Sequence, residues 1–157
     1  MRKRIVASHL TEPRAADHGW LDLEHFATVE VTSEHPSFPV ELALTLREGS
    51  GWRAAQHGQQ QIRIIFDDPV SLQRIQLRFY EAEFERTQEF ALRWLSASGG
   101  PTREIVRQQW NFSPNGSTAE IEDYPVDLHG VAVLELTIQP DVSGREAIAT
   151  LASWRLG

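Results

Sequence analysis

Residues 61–79 read Gln61-Ile62-Arg63-Ile64-Ile65-Phe66-Asp67-Asp68-Pro69-Val70-Ser71-Leu72-Gln73-Arg74-Ile75-Gln76-Leu77-Arg78-Phe79, and their period decides the fold class. Ile62, Ile64 and Phe66 alternate with Gln61, Arg63 and Ile65, and Ile75, Leu77 and Phe79 alternate with Arg74, Gln76 and Arg78. A period of two puts successive side chains on opposite faces of a strand. Asp67-Asp68-Pro69 between the runs predicts a turn, since Pro has no amide to continue a ladder and Asp favours turns.

The same period recurs on either side. Phe90, Leu92 and Trp94 alternate before Ser98-Gly99-Gly100-Pro101, and residues 104–112 and 118–124 flank Ser113-Pro114-Asn115-Gly116. Asn-Gly between alternating runs predicts a tight hairpin, because both residues tolerate positive φ. Residues 131–138 and 147–156 complete the set, with 140–144 between them, and one short helix is expected near residues 38–46. About eight short strands with almost no helix predict an all-β antiparallel sandwich of jelly-roll type. Phe66, Phe79, Phe90 and Trp94 are its first core candidates. Residues 27–157 form the predicted domain, and residues 1–26 a polar arm whose Trp20, Leu21, Leu23 and Phe26 can lie against it.

Composition bounds the function. The chain has 157 residues, 22 acidic against 15 basic, a net charge of −7, 41% apolar residues and no cysteine. That length supports one domain with its own core. The missing cysteines remove a thiolate nucleophile, a zinc-thiolate site and a disulfide scaffold together. Net negative charge argues against nucleic acid and anionic membrane as partners. Met1-Arg2-Lys3-Arg4 begins like a signal peptide, but His9, Glu12, Arg14 and Asp17 interrupt the apolar stretch, and no run reaches the ~20 residues of a membrane span, so a cytoplasmic location is expected.

Chemistry-bearing motifs are few. The six histidines show no metal-site spacing, and no Gly-x-Ser-x-Gly occurs. Glu120 and Glu122, two apart on one strand, read as a solvated face rather than an acid and base pair. Arg63, Arg74, Arg78 and Arg93, interspersed with Gln and Glu, likewise read as a solvated sheet face. No catalytic residue and no metal site is expected.

Six stretches occur in a telling order: Val29-Glu30-Val31-Thr32-Ser33; Gly49-Ser50-Gly51-Trp52-Arg53-Ala54; Gly58-Gln59-Gln60-Gln61-Ile62-Arg63-Ile64; Leu72-Gln73-Arg74-Ile75-Gln76-Leu77; Phe90-Ala91-Leu92-Arg93-Trp94; and Leu151-Ala152-Ser153-Trp154-Arg155-Leu156-Gly157. This order resembles the discoidin-like domains, the family of the coagulation factor V/VIII C-terminal domains and many carbohydrate-binding modules, which share a galactose-binding-like jelly roll. The resemblance covers residues 27–157 and looks like a divergent member. It implies a noncatalytic recognition domain with carbohydrate as the first ligand class, and a protein-interaction or assembly domain, including a homo-oligomer, as the alternative. Members with a structural calcium have an Asp-bearing loop and a closing-strand Glu. Here the loop is Arg47-Glu48-Gly49-Ser50-Gly51 and Ser153 replaces the Glu, so two carboxylates are gone and no cofactor is expected, with Glu48 and backbone carbonyls the remaining calcium donors.

Strand parity sorts the loops. Residues 67–71, 98–102 and 125–130 are expected at one end, and residues 33–59, 80–87, 112–117 and 140–146 at the other, with Phe38, Trp52 and Phe84 among the longer loops. A sugar site needs an aromatic face and hydroxyl partners. Trp52 and Phe84 are the candidate faces, and His35, Arg53, His57, Glu83 and Arg86 the candidate polar partners. Trp52 reads first as a plug for the core and second as a ligand contact, and Phe38, beside Pro36 and Pro39, first as a packing anchor, whereas Phe84, flanked by charge, is the better candidate for an exposed aromatic. Glu81, Glu83 and Glu85 favour a neutral or cationic ligand over a phosphate.

Overall fold

The structure, a computed structural model, describes residues 19–45 and 51–157. Eight strands are described: β1 (Ala27–Val31), β2 (Trp52–His57), β3 (Gln60–Tyr80), β4 (Arg86–Ser96), β5 (Arg103–Phe112), β6 (Ala119–Gln139), β7 (Ile148–Leu151) and β8 (Ser153–Leu156). One helical turn, α1 (Glu41–Leu44), stands where the longer helix was expected, and a 3-10 turn spans Leu23–His25. Among the described residues no helix is long and apolar enough to cross a membrane.

The expected turn at Asp67-Asp68-Pro69 is not a turn. β3 and β6 each run 21 residues and pair antiparallel along their length, with register shifts between Ile65 and Arg74. Pro69 offers no amide to the ladder, and the irregular pairing bends the strand as a bulge does. The first half of β3 pairs with β1 and with Val133–Ile138 of β6, and the second half with β8 and with Ala119–Pro125. Residues 125–130, also expected as a loop, are the facing corner of β6. The long ribbon therefore folds over on itself and belongs to both layers. One layer reads β1, β3, β6, β4, β5; the other joins β8 to the far halves of β3 and β6, and β2 pairs with β7.

The Asn115-Gly116 hairpin is a second correction. β5 pairs with β4, not with β6, through Arg86↔Phe112 to Trp94↔Arg103. Residues 113–118 instead carry the chain from one layer to the other, and Gly116 does not take the left-handed conformation a two-residue hairpin requires. The segment expected as one final strand is two, β7 and β8.

Ile62, Ile64, Leu72, Ile75, Leu77, Phe79, Phe90, Leu92, Leu134, Leu136, Leu151 and Trp154 fill the space between the layers. Phe79 and Phe90 meet across it with ring centroids 5.2 Å apart, Phe66 is buried, and Trp94 packs at the margin. Of the expected arm, Trp20 and Leu23 are buried and the Leu21 amide bonds the Leu156 carbonyl at 2.7 Å; residues 1–18 lie outside the described residues.

Several charges on the outer faces are paired, although Arg78, one of the arginines read as a solvated face, has no ion pair among the described residues. Arg63 lies 3.0 Å from Glu30 and 3.4 Å from Glu135, and Arg93, opposite Glu135 in the next strand, lies 3.8 Å from Glu104. Arg74 pairs with Asp123 at 2.6 Å and stacks over the Trp20 ring. That guanidinium holds the Asp123 carboxyl below its usual range.

Glu120 and Glu122 do not form a solvated face. Register sets them opposite Phe79 and Leu77, which point inward, so Glu120 is wholly buried while Ile121 and Asp123 face out. The Glu120 carboxyl is pushed up to about 8, first by burial and then by hydrogen bonding to and repulsion from Glu122. Tyr124, next on the same face, is raised by burial and by those two glutamates.

Candidate functional site

Because the ribbon folds over, the start of β3 near Gln60 and its end at Tyr80 come to the same end of the sandwich, beside the loops leading into β4 and β7. A pocket of about 380 Å3 opens there, lined by Arg53, His57, Glu81, Phe84, Glu85, Arg86, Asp141, Arg145, Glu146, Ala147, Ile148 and Thr150.

Its floor is organised by Arg86, which is 1% exposed. Nε donates to Glu81 Oε1 at 2.8 Å, Nη1 to the Pro140 carbonyl at 3.0 Å and to Gln88 Oε1 at 3.3 Å, and Nη2 to Thr150 Oγ1 at 3.3 Å. Its plane also lies over the Phe112 ring, 4.9 Å from the centroid. A buried guanidinium is tolerable when its donors are met in this way. Arg86 thereby ties the 81–85 loop, β4, β7 and the 140–147 loop together.

The 140–147 wall is built on Asp141. Oδ1 accepts from the Ser143 amide at 2.9 Å and the Ser143 hydroxyl at 2.7 Å, the local turn that Asp-x-Ser favours. Oδ2 accepts from Arg145 Nε at 3.0 Å, and Arg145 Nη2 donates to the Glu85 carbonyl at 3.3 Å, clamping the two loops. Burial alone would raise the Asp141 carboxyl, but the Ser143 hydrogen bonds and Arg145 outweigh it and hold it below its usual range. Among the described residues no ion pair engages Arg53, His57, Glu85 or Glu146, and Arg53 lies over the Phe38 ring, 5.6 Å from its centroid. Phe84 is 64% exposed at the pocket edge.

Of the seven residues singled out in the sequence, Arg53, His57, Phe84 and Arg86 line this pocket. Trp52 is corrected: it is 1% exposed, its Nε1 donates to the Ser33 carbonyl at 3.0 Å, and it is a core plug with no free face to offer. It borders a smaller hollow of about 170 Å3 with Phe38, Arg53, Tyr80, Thr150 and Ala152. His35 is engaged in its own turn, its Nδ1 accepting from the Ser37 amide at 3.0 Å, and does not line the pocket. Glu83 is exposed beside the pocket without lining it. Sequence reasoning missed Asp141, Arg145, Glu146 and Thr150; the parity argument placed the loop of the first three at this end, with Thr150 on β7 beyond it, and the Asp141-Val142-Ser143 turn was the signal for the loop's organiser.

The calcium donors weighed in the sequence, residues 47–50, lie outside the described residues, and Ser153 Oγ is buried without a partner. Among the described residues one group of potential metal donors comes together, Asp22, Glu24 and His25, on the surface at the 3-10 turn.

No protein-family model and no curated protein matches this chain. Solved structures do match. The family 32 carbohydrate-binding module of Clostridium perfringens NanJ, in complex with galactose, superposes with a TM-score of 0.59 at 13% identity, covering 83% of this chain and 92% of that one. A family 32 module from a Clostridium perfringens family 31 glycoside hydrolase gives 0.61 at 14% identity over 87% and 93%. XRCC1, solved in its reduced form bound to the DNA polymerase β catalytic domain, gives 0.58 at 11% identity over 84% and 95%. The fold is therefore that of the galactose-binding-like, discoidin-like sandwiches.

Proposed function

We propose that this fold serves here as a noncatalytic carbohydrate-recognition domain and that the pocket floored by Arg86 takes the sugar. The observation that carries the reading is the pairing of an exposed aromatic, Phe84, with four polar side chains that have no internal ion pair, Arg53, His57, Glu85 and Glu146, around one concavity. Phe84 offers an apolar face to the C–H surface of a pyranose ring. The other four offer donors and acceptors for its hydroxyls. Three arginines against four carboxylates leave the lining close to neutral, which suits an uncharged sugar better than a phosphate. The modules of the same fold described above include one solved with galactose, which supports the same ligand class. Arg86 and Asp141 are positioning residues, since their polar atoms are spent within the protein.

A glycan array with the wild-type chain and with Phe84→Ala and Arg53→Ala tests this. Specific binding that Phe84→Ala abolishes is the expected result. An array with no glycan above background, or binding unchanged in both variants, would overturn it. Both substitutions are on exposed side chains, so loss of binding is not loss of fold.

A further inference from the structure

On the opposite flank of the sandwich, β1 is the outermost strand of its layer. Its register with β3 is unbroken from Ala27↔Phe66 to Val31↔Ile62. The Thr32 amide bonds the Gln61 carbonyl at 3.1 Å, and the Asp67 amide bonds the Phe26 carbonyl at 2.9 Å. Hydrogen-bonded and non-bonded pairs alternate along an antiparallel ladder. Residues 26, 28, 30 and 32 therefore bond to β3, and the amides and carbonyls of Ala27, Val29 and Val31 point the other way, to an edge that no strand covers among the described residues.

The side chains of those same three residues line a groove of about 450 Å3 whose apolar wall is completed by Leu23, Val40 and Leu44. Among the described residues its rim carries Glu24, Glu34 and Glu41 and no basic residue. Edge strands are ordinarily guarded against further pairing by lysine, proline or a bulge. The outer strand at the other end of this layer, β5, carries Arg103, Glu104 and Arg107. β1 carries Ala27-Thr28-Val29-Glu30-Val31, with no proline, no lysine and no bulge, and its one charge, Glu30, is on the outer face with Arg63.

We propose that β1 and this groove are a docking site for an extended polypeptide segment that adds a strand to β1, with apolar side chains at alternate positions and lysine or arginine beside them. The incoming backbone meets the outward amides and carbonyls of Ala27, Val29 and Val31. Alternate side chains of the new strand then fall on the groove side and fill the apolar space, the register-and-pocket recognition that strand addition uses elsewhere. The flanking basic residues meet Glu24 and Glu41, whose carboxylates have no ion pair among the described residues; Glu34 is partly committed, since it accepts the Val40 amide at 3.0 Å. A second copy of this chain pairing β1 with β1 is disfavoured, because it brings two sets of rim glutamates together.

The test uses the full chain and short synthetic peptides in fluorescence anisotropy: one alternating valine with lysine, one alternating valine with glutamate, and one alternating serine with lysine. Only the valine-lysine peptide is expected to bind, and in amide NMR spectra it should protect Ala27, Val29 and Val31 selectively. Val29→Pro removes an outward amide that β3 does not use, and is expected to weaken binding about tenfold or more, the worth of one hydrogen bond with its neighbours. Ala27→Trp fills the groove and should do the same if Val29→Pro fails to fold. Equal binding of the serine-lysine peptide reduces the effect to net charge and overturns the proposal. So does binding that survives both substitutions, or a stable dimer in light scattering that either substitution dissolves.

Discussion

Gln88 Nε2 donates to Glu120 Oε1 at 3.1 Å, and the two residues belong to different layers of the sandwich. Gln88 Oε1 in turn accepts from Arg86, so a polar chain runs from the pocket floor through the core to the Glu120 and Glu122 carboxyls.

That chain makes stability depend on pH. The folded-state value of Glu120, about 8, exceeds the ordinary 4.5 of a free glutamate, so the folded protein binds the proton more tightly than the unfolded chain. The contribution is complete below pH 4.5, shrinks as pH rises and is lost past about 8. Urea denaturation midpoints of the wild type should fall over this window. Glu120→Gln, which keeps the shape and cannot ionise, should flatten the profile and be more stable than the wild type at the alkaline end.

Arg86→Ala removes the partner of Glu81 and the donors to the Pro140 carbonyl and Gln88 Oε1, while Gln88 Nε2 keeps Glu120 and Thr150 keeps the Tyr80 carbonyl. Breaking a buried ion pair from one side costs about 3–5 kcal/mol. Chemical denaturation should show a loss of that order. Arg86→Lys should recover only part of it, because an ammonium cannot span all the acceptors that the planar guanidinium meets.

Asp141→Asn should loosen the pocket wall without unfolding the domain. The amide cannot accept from both Ser143 and Arg145 as the carboxylate does. Hydrogen exchange should quicken in residues 81–85 and 140–147 and stay unchanged in β3 and β6. The wild type should show the same loosening on acidification, since a carboxyl held below its usual range stabilises above its unfolded value and loses that contribution as pH falls through the depressed one.

Gly51→Ala and Gly58→Ala form a matched pair. Both positions have left-handed φ, +80° and +89°. A Cβ on Gly51 would collide with the Leu151 carbonyl oxygen and the Ala152 backbone, whereas one on Gly58 meets nothing within 4 Å. Gly58→Ala should cost about 1 kcal/mol for backbone strain alone. Gly51→Ala should cost clearly more and shift the thermal midpoint further.

The strands were legible because burial on one side leaves a two-residue period, as Ile62, Ile64, Phe66 and Ile75, Leu77, Phe79 show. What happens between them was not. Asp67-Asp68-Pro69 has the same local chemistry whether the chain reverses or merely bends, and only its partner strand, some 60 residues away, decides. Asn115-Gly116 failed for the same reason, since β5 found its partner in β4. Glu120 was misread because its facing follows from the register with Phe79 rather than from its own type. At the pocket, the exposure of Phe84 was legible in its charged neighbours, and the burial of Trp52 in the usual preference of tryptophan for the interior.

β3 and β6 serve both layers, and this has a kinetic consequence. Neither layer can form without fixing half of the ribbon that the other needs, so the sandwich should fold and unfold as one cooperative unit with no half-built sheet accumulating. The pairing that launches it joins segments far apart in the chain, which places the entropy of closing a long loop ahead of most of the stabilising contacts. Refolding should accordingly be slow for a chain of this size, and substitutions at the bent corners should act mainly on the folding rate.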